Sequence, residues 1–256
     1  MLISKTWSLS PKELTSLPRH YYLELVKQLH EKLALPVGED KIPPVSYSGL
    51  VGQIKNGGEF ITFSPEETYE LKICGLNAET SSQVAELDLS PSLDFLGGSF
   101  KVLDVEQEQT SYEQLYTYLV AEEPTPSREF QLNFLTPTAF SQGRGQLPLP
   151  VPELMFRSWL NRWNHFAPIY LGEDELLEYL SHGIKIKHHR IKTHNFTLPK
   201  GYITGFTGTV TLTIPRRFDQ LLANVAHLLC EYSSFASTGV KTRLGMGQTQ
   251  LLNKDK

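Results

Sequence analysis

The sequence predicts an α+β chain made of two tandem βαββαβ units, the ferredoxin-like (RRM-like) arrangement in which two helices cover one face of an antiparallel sheet. Three observations carry that prediction. Strand-like and helix-like patterns recur in the same order in both halves. The 256 residues hold two domains of ordinary size. An acidic, proline-bearing stretch at 121–126 separates halves of opposite charge: residues 1–125 hold 9 Lys/Arg against 19 Asp/Glu, and residues 126–256 hold 15 against 9. The expected division is 1–124 and 125–256.

In the first half, residues 2–9 alternate loosely and read as a strand. Ser10, Pro11 and Glu13 have the form of a capping box with proline at the first helical position, and Ser16 to Pro18 offers a second start. A helix to about residue 35 is expected, because Tyr22, Leu25, Val26, Leu29 and Leu33 form an apolar stripe at helical spacing. Residues 45–51 read as a strand, with 59–63 and 69–74 as the stretch that pairs with it. A weak helical pattern covers 78–96, and 100–105 supplies another strand.

The second half repeats the order. Residues 130–135 form a strand, 152–166 a helix, 184–191 and 202–214 strands, 217–235 a helix, and 240–252 a glycine loop running into a last strand. A short helix at 174–182 is inserted before the hairpin.

Composition narrows the function classes. No run of 18 apolar residues and no basic segment followed by an apolar one is present, so a soluble, cytoplasmic protein with no membrane partner is expected. Cys74 and Cys230 read as reduced, packed thiols; without C-x-x-C or clustered Cys/His spacing, neither a metal site nor a cofactor is expected. The net charge of the second half points to a polyanionic partner. Gly239, Gly245 and Gly247 flank Lys241 and Arg243 there, a combination that suits a phosphate-cradling loop. The loop matches neither common nucleotide fingerprint, which disfavours a mononucleotide or dinucleotide site.

A family resemblance rests on several motifs taken together: Thr136-Pro137-Thr138-Ala139-Phe140, Gly143-Arg144-Gly145, the proline-rich run from Leu147 to Leu154, Arg162-Trp163-Asn164, Gly205 to Val210, and the glycine loop with Lys241-Thr242. They resemble the C-terminal half of the CRISPR-associated endoribonucleases that cut precursor CRISPR RNA within its repeats. One departure is Ser237, where the family loop opens with a further glycine.

The resemblance implies two ferredoxin-like domains, CRISPR repeat RNA as partner, other effector subunits as further partners, and a metal-independent cut in which a ribose 2′-hydroxyl attacks the adjacent phosphorus. It also implies a catalytic histidine or tyrosine on or just after the first helix and a supporting lysine before the second strand. His30 has the spacing of the helical residue, His20 sits at the helix start, and Lys41 is the cation nearest the lysine's place. An alternative reading is a non-catalytic RNA-binding subunit of an interference complex.

For RNA contact, alternation over 184–189 puts Lys185, Lys187 and His189 on one strand face and Ile184, Ile186 and His188 on the other. Arg144 and Arg162 are candidates for phosphate contact, whereas Trp163 reads as core.

Overall fold

The computed structural model describes residues 1–35, 41–143 and 145–252. The first domain runs β1 (Leu2–Pro11), β2 (Thr15–Pro18), α1 (Tyr22–Lys32), β3 (Val45–Val51), β4 (Lys55–Gly57), β5 (Phe60–Phe63), β6 (Tyr69–Gly75), α2 (Ala78–Glu86), β7 (Ser92–Phe95) and β8 (Gly98–Thr110). A short helix, α3 (Tyr112–Tyr116), continues as a π-turn (Thr117–Ala121). The second domain runs β9 (Glu129–Thr138), β10 (Phe140–Gln142), β11 (Gly145–Leu147), α4 (Pro152–Phe166), α5 (Asp174–Gly183), β12 (Lys185–Thr197), β13 (Tyr202–Thr213), α6 (Gln220–Ala236), a 3₁₀ turn (Thr242–Leu244) and β14 (Thr249–Leu252).

The main sheets have orders β3-β6-β1-β8-β7 and β12-β13-β9-β14, with every pairing antiparallel. Leaving out the added β7 hairpin arm, both read second-third-first-fourth in domain order. That is the ferredoxin-like topology, twice.

The α1 stripe behaves as its spacing requires: Tyr22, Leu25, Val26, Leu29 and Leu33 are all buried in the first core. The helix start differs from the expectation. Ser10 and Pro11 pair with Lys101 and Phe100 as the end of β1, Thr15 to Pro18 is a strand, and α1 opens after Tyr21 without a side-chain cap. Leu9, Pro11, Thr15 and Leu17 are buried in turn, and burying that period-two pattern outweighs a local capping signature. The helical reading of 78–96 is likewise too long. After Glu86 the chain turns and 92–95 pair with β8, burying Leu93 and Phe95. β5 joins β2 and β4 in a small separate sheet; among the described residues only β6 pairs with β3.

The two cores trade residues across 124/125. Leu2, Leu76, Tyr112, Leu119 and Val120 pack in the second core, and Ala139, Phe196, Ile203 and Met246 in the first. Tyr112 donates to the Leu76 carbonyl at 2.7 Å and lies 3.4 Å from the Tyr232 hydroxyl on α6. α6 is apolar nearly all round because it is covered on two sides. One side packs on its own sheet; on the other, Ser46 of β3 donates to the Phe235 carbonyl at 3.2 Å and the Cys74 thiol of β6 to the Ser234 carbonyl at 3.8 Å.

Candidate active site and nucleic-acid interface

The glycine loop is a strap bound to the protein beneath it. Gly239 has φ +80°, and a Cβ there would lie 2.2 Å from the Ala139 carbonyl oxygen; at Gly247, φ +77°, it would lie 1.9 Å from that of Thr238. These glycines therefore admit the chain's own backbone, where the sequence suggested the approach of a phosphate. Val240 N–H donates to Ala139 at 3.0 Å, Gly247 N–H to Pro137 at 3.1 Å and Thr238 N–H to Gly247 at 2.7 Å. From below, the Trp159 indole donates to Thr238 Oγ1 at 2.8 Å.

Arg162 belongs to the same support, which corrects its assignment to phosphate. Its terminal nitrogens donate to the Gly239 carbonyl at 2.9 Å, Thr242 Oγ1 at 3.3 Å and the Ser158 carbonyl at 3.1 Å. Its Nε is buried without a partner. Trp163 is core, fully buried and donating to the Ile169 carbonyl at 2.8 Å.

The strap's 3₁₀ turn lies across β3. Ser48 and Gly49 face a single residue of β6, a bulge in which Gly49 has φ +69°. Gly245 seats on it, a Cβ there lying 3.4 Å from the Gly49 nitrogen. That contact brings Arg243, from the second domain, to His30 and Tyr47 of the first.

His30 is half-buried on α1, and its Nδ1 is 2.8 Å from Tyr47 Oη. Burial, and then the Arg243 charge, hold the His30 pKa below the usual 6.5, with a backbone hydrogen bond to Val26 pulling back up. Burial pushes the Tyr47 phenol far up, with Arg243 drawing it slightly down. Tyr47 therefore stays a neutral hydroxyl that fixes the ring, and His30 is an unprotonated imidazole at neutral pH. Of the expected acid–base and cationic residues, Arg243 and His30 meet at this point among the described residues. Lys241 is exposed at the start of the turn, with φ +56°.

His20 is exposed just before α1. Ten residues of near-helical rise put it about 15 Å from His30 along the axis, so the two cannot serve one phosphate. Lys41 is exposed beside residues outside the described set, and Arg144 itself lies outside the described residues.

An interdomain groove of about 700 Å³ runs between Ser48–Gly52 and Thr193–Thr197, and Leu244 and Gly245 line it. His30 does not line this groove.

On β12 the alternation breaks. Ile186 faces Leu212 and His188 faces Thr211, so Lys187 is an inserted bulge residue. Beyond it the faces exchange. Lys185, His188, Arg190 and Lys192 line the open face opposite the helices, while His189 shares the face of Ile186 and Ile191. Lys187 pairs with Glu129 at 2.5 Å. The expected row of Lys185, Lys187 and His189 therefore does not exist as a row.

Residues 132–249 match the family model described as CRISPR-associated endoribonuclease Cas6. The matched segment runs from β9 to the start of β14 and holds the whole strap; His30 and Tyr47 lie before it. A CRISPR-associated endoribonuclease Cas6 of Mycobacterium tuberculosis (strain H37Rv) is 29% identical over 121 residues, 47% of this chain and 38% of that protein. The match thus spans well under half the length of that relative. Among solved structures, a Cas6 product complex superposes with a TM-score of 0.74 at 21% identity, covering 99% of this chain and 100% of that one. Thermus thermophilus Cas6 does so with a TM-score of 0.70 at 21% identity, covering 98% of each. These likenesses carry the tandem ferredoxin-like fold through the first half as well. Among the described residues no cluster of three or more His, Cys, Asp or Glu could hold a metal ion, and no helix is long and apolar enough to cross a membrane.

Proposed function

We propose that this chain is a metal-independent endoribonuclease that binds CRISPR repeat RNA in the cytoplasm and cleaves precursor CRISPR RNA. Residues 1–124 supply the acid–base group and 125–256 the strap. The observation that carries this reading is His30, oriented by Tyr47 and set beside Arg243, which arrives on the matched segment. In the tautomer with its proton on Nδ1, which sits 2.8 Å from Tyr47 Oη, the His30 Nε2 lone pair is left for a general base.

In that role it takes the proton of the ribose 2′-hydroxyl as the 2′-oxygen bonds to phosphorus. The bond from phosphorus to the 5′-oxygen breaks, leaving a 2′,3′-cyclic phosphate and, after protonation, a 5′-hydroxyl. Arg243 faces the charge that grows on the phosphorane, and Lys241 and Lys185 hold phosphates outside the reacting one. Other effector subunits are further partners.

Labelled repeat RNA incubated with the protein in excess chelator should be cut to cyclic-phosphate ends. His30→Ala should slow single-turnover cleavage by about 10²–10⁴-fold with affinity nearly intact. Binding without cleavage by the unaltered chain would leave a non-catalytic RNA-binding subunit.

A further inference from the structure

Two long strand edges carry opposite charge. β7 pairs with β8 only up to Lys101, so among the described residues no strand pairs with 103–110 on that side. That edge is exposed from Leu103 to Gln109 and presents Asp104, Glu106 and Glu108 on one face. At the far end of the other sheet, β12 presents Lys185, His188, Arg190 and Lys192 on one face. An open edge invites another strand, and like charges on it prevent pairing with its own kind. Here each edge repels its like and attracts the other.

Topology makes the fit possible. Both sheets have the same strand order, with the first and second strands of each domain running one way and the third and fourth the other. The fourth-strand edge of one sheet, set beside the second-strand edge of another, therefore meets it antiparallel, with both helix layers on the same side. In one such register Asp104 faces Lys192, Glu106 faces Arg190 and Glu108 faces His188. On the other face Val105, 38% exposed, meets Ile191. Within one chain these edges do not meet.

We infer that β8 of one copy adds to β12 of another, a salt-sensitive, head-to-tail self-association of the RNA-free protein. The contact is heterologous, so copies add in sequence or close a ring. It occupies the cationic row, and polyanions compete with it.

Sedimentation velocity of the full chain without RNA tests this. The parent should associate with rising concentration at low salt and dissociate at high salt. E106K and R190E, each with unchanged circular dichroism, should each lose at least about tenfold in association constant. Mixed together they should recover it, because Lys at 106 then meets Glu at 190 while the native pair forms at the other contact. A parent that is monomeric throughout overturns the inference, as do variants that associate like the parent or a mixture that does not recover. An R190E chain that keeps its self-association and loses only affinity for repeat RNA assigns the row to RNA, which also overturns it.

Discussion

At the scale of single residues, the proposed chemistry turns on a ring held from one side. Tyr47 Oη reaches His30 Nδ1 at 2.8 Å, and Tyr47→Phe keeps the ring packing while deleting that contact. Cleavage should fall about tenfold to a hundredfold with repeat affinity unchanged, since one hydrogen bond is lost at an oriented base. The pH profile gives an independent check. A base with a depressed pKa is active when unprotonated, so single-turnover rate should rise with pH and level off, with a midpoint below 6.5. Arg243→Ala removes one cause of the depression and should move that midpoint upward. A profile that falls with pH through the same region would make His30 an acid instead. The place of His30 on α1 was legible from the apolar stripe, and its proposed role from the family resemblance. Its contact with Tyr47 was not, because 45–51 reads as a strand and the partner is 17 residues away. Ser237, where the family has glycine, keeps the backbone a glycine would adopt, φ +58° and ψ 179°. Its hydroxyl answers Ser46 at 3.2 Å and Gln248 at 3.4 Å.

At the scale of elements, the strap and β12 show what periodicity reads and what it misses. The α1 stripe was legible because one helix face is buried along its whole length. β12 was misread after one residue: alternation assumes an unbroken ladder, and the Lys187 bulge exchanges the faces of all that follow. The glycines of the strap were recognised, but sequence cannot tell whether a close approach admits a ligand or the protein's own carbonyls. That difference separates its two cations. Lys241 is exposed and should behave as an outer phosphate contact: Lys241→Ala should lower repeat affinity and reduce the salt slope by about one unit, with cleavage of bound RNA near parental. Arg243, half-buried beside His30, should when replaced by alanine lose mainly single-turnover rate. Equal effects of the two substitutions on slope and rate would make the strap a uniform binding surface.

At the scale of the whole molecule, the domains are repeated in topology but not separable in packing. α3 and the π-turn that follows it, unread in the sequence because they span only Tyr112–Ala121, send Tyr112, Leu119 and Val120 into the second core. Met246 returns from the second domain to the first. The candidate site lies across that joint, since His30 and Tyr47 come from one side and Arg243 from the other, so independent opening of either domain would undo it. Cooperative unfolding is therefore expected: loss of either core strips apolar partners from the other and uncovers α6 on one side. The three tryptophans divide cleanly for a test, Trp7 lying in the first core and Trp159 and Trp163 in the second. Chains in which Trp7 alone, or Trp159 and Trp163 alone, are kept and the rest made Phe report on one core each. Each chain will have its own midpoint, lowered by the buried substitutions, but within each the fluorescence and far-ultraviolet dichroism transitions should coincide. A fluorescence midpoint separated from the dichroism midpoint in either chain would show a core unfolding by itself and dissolve the joint on which the site depends.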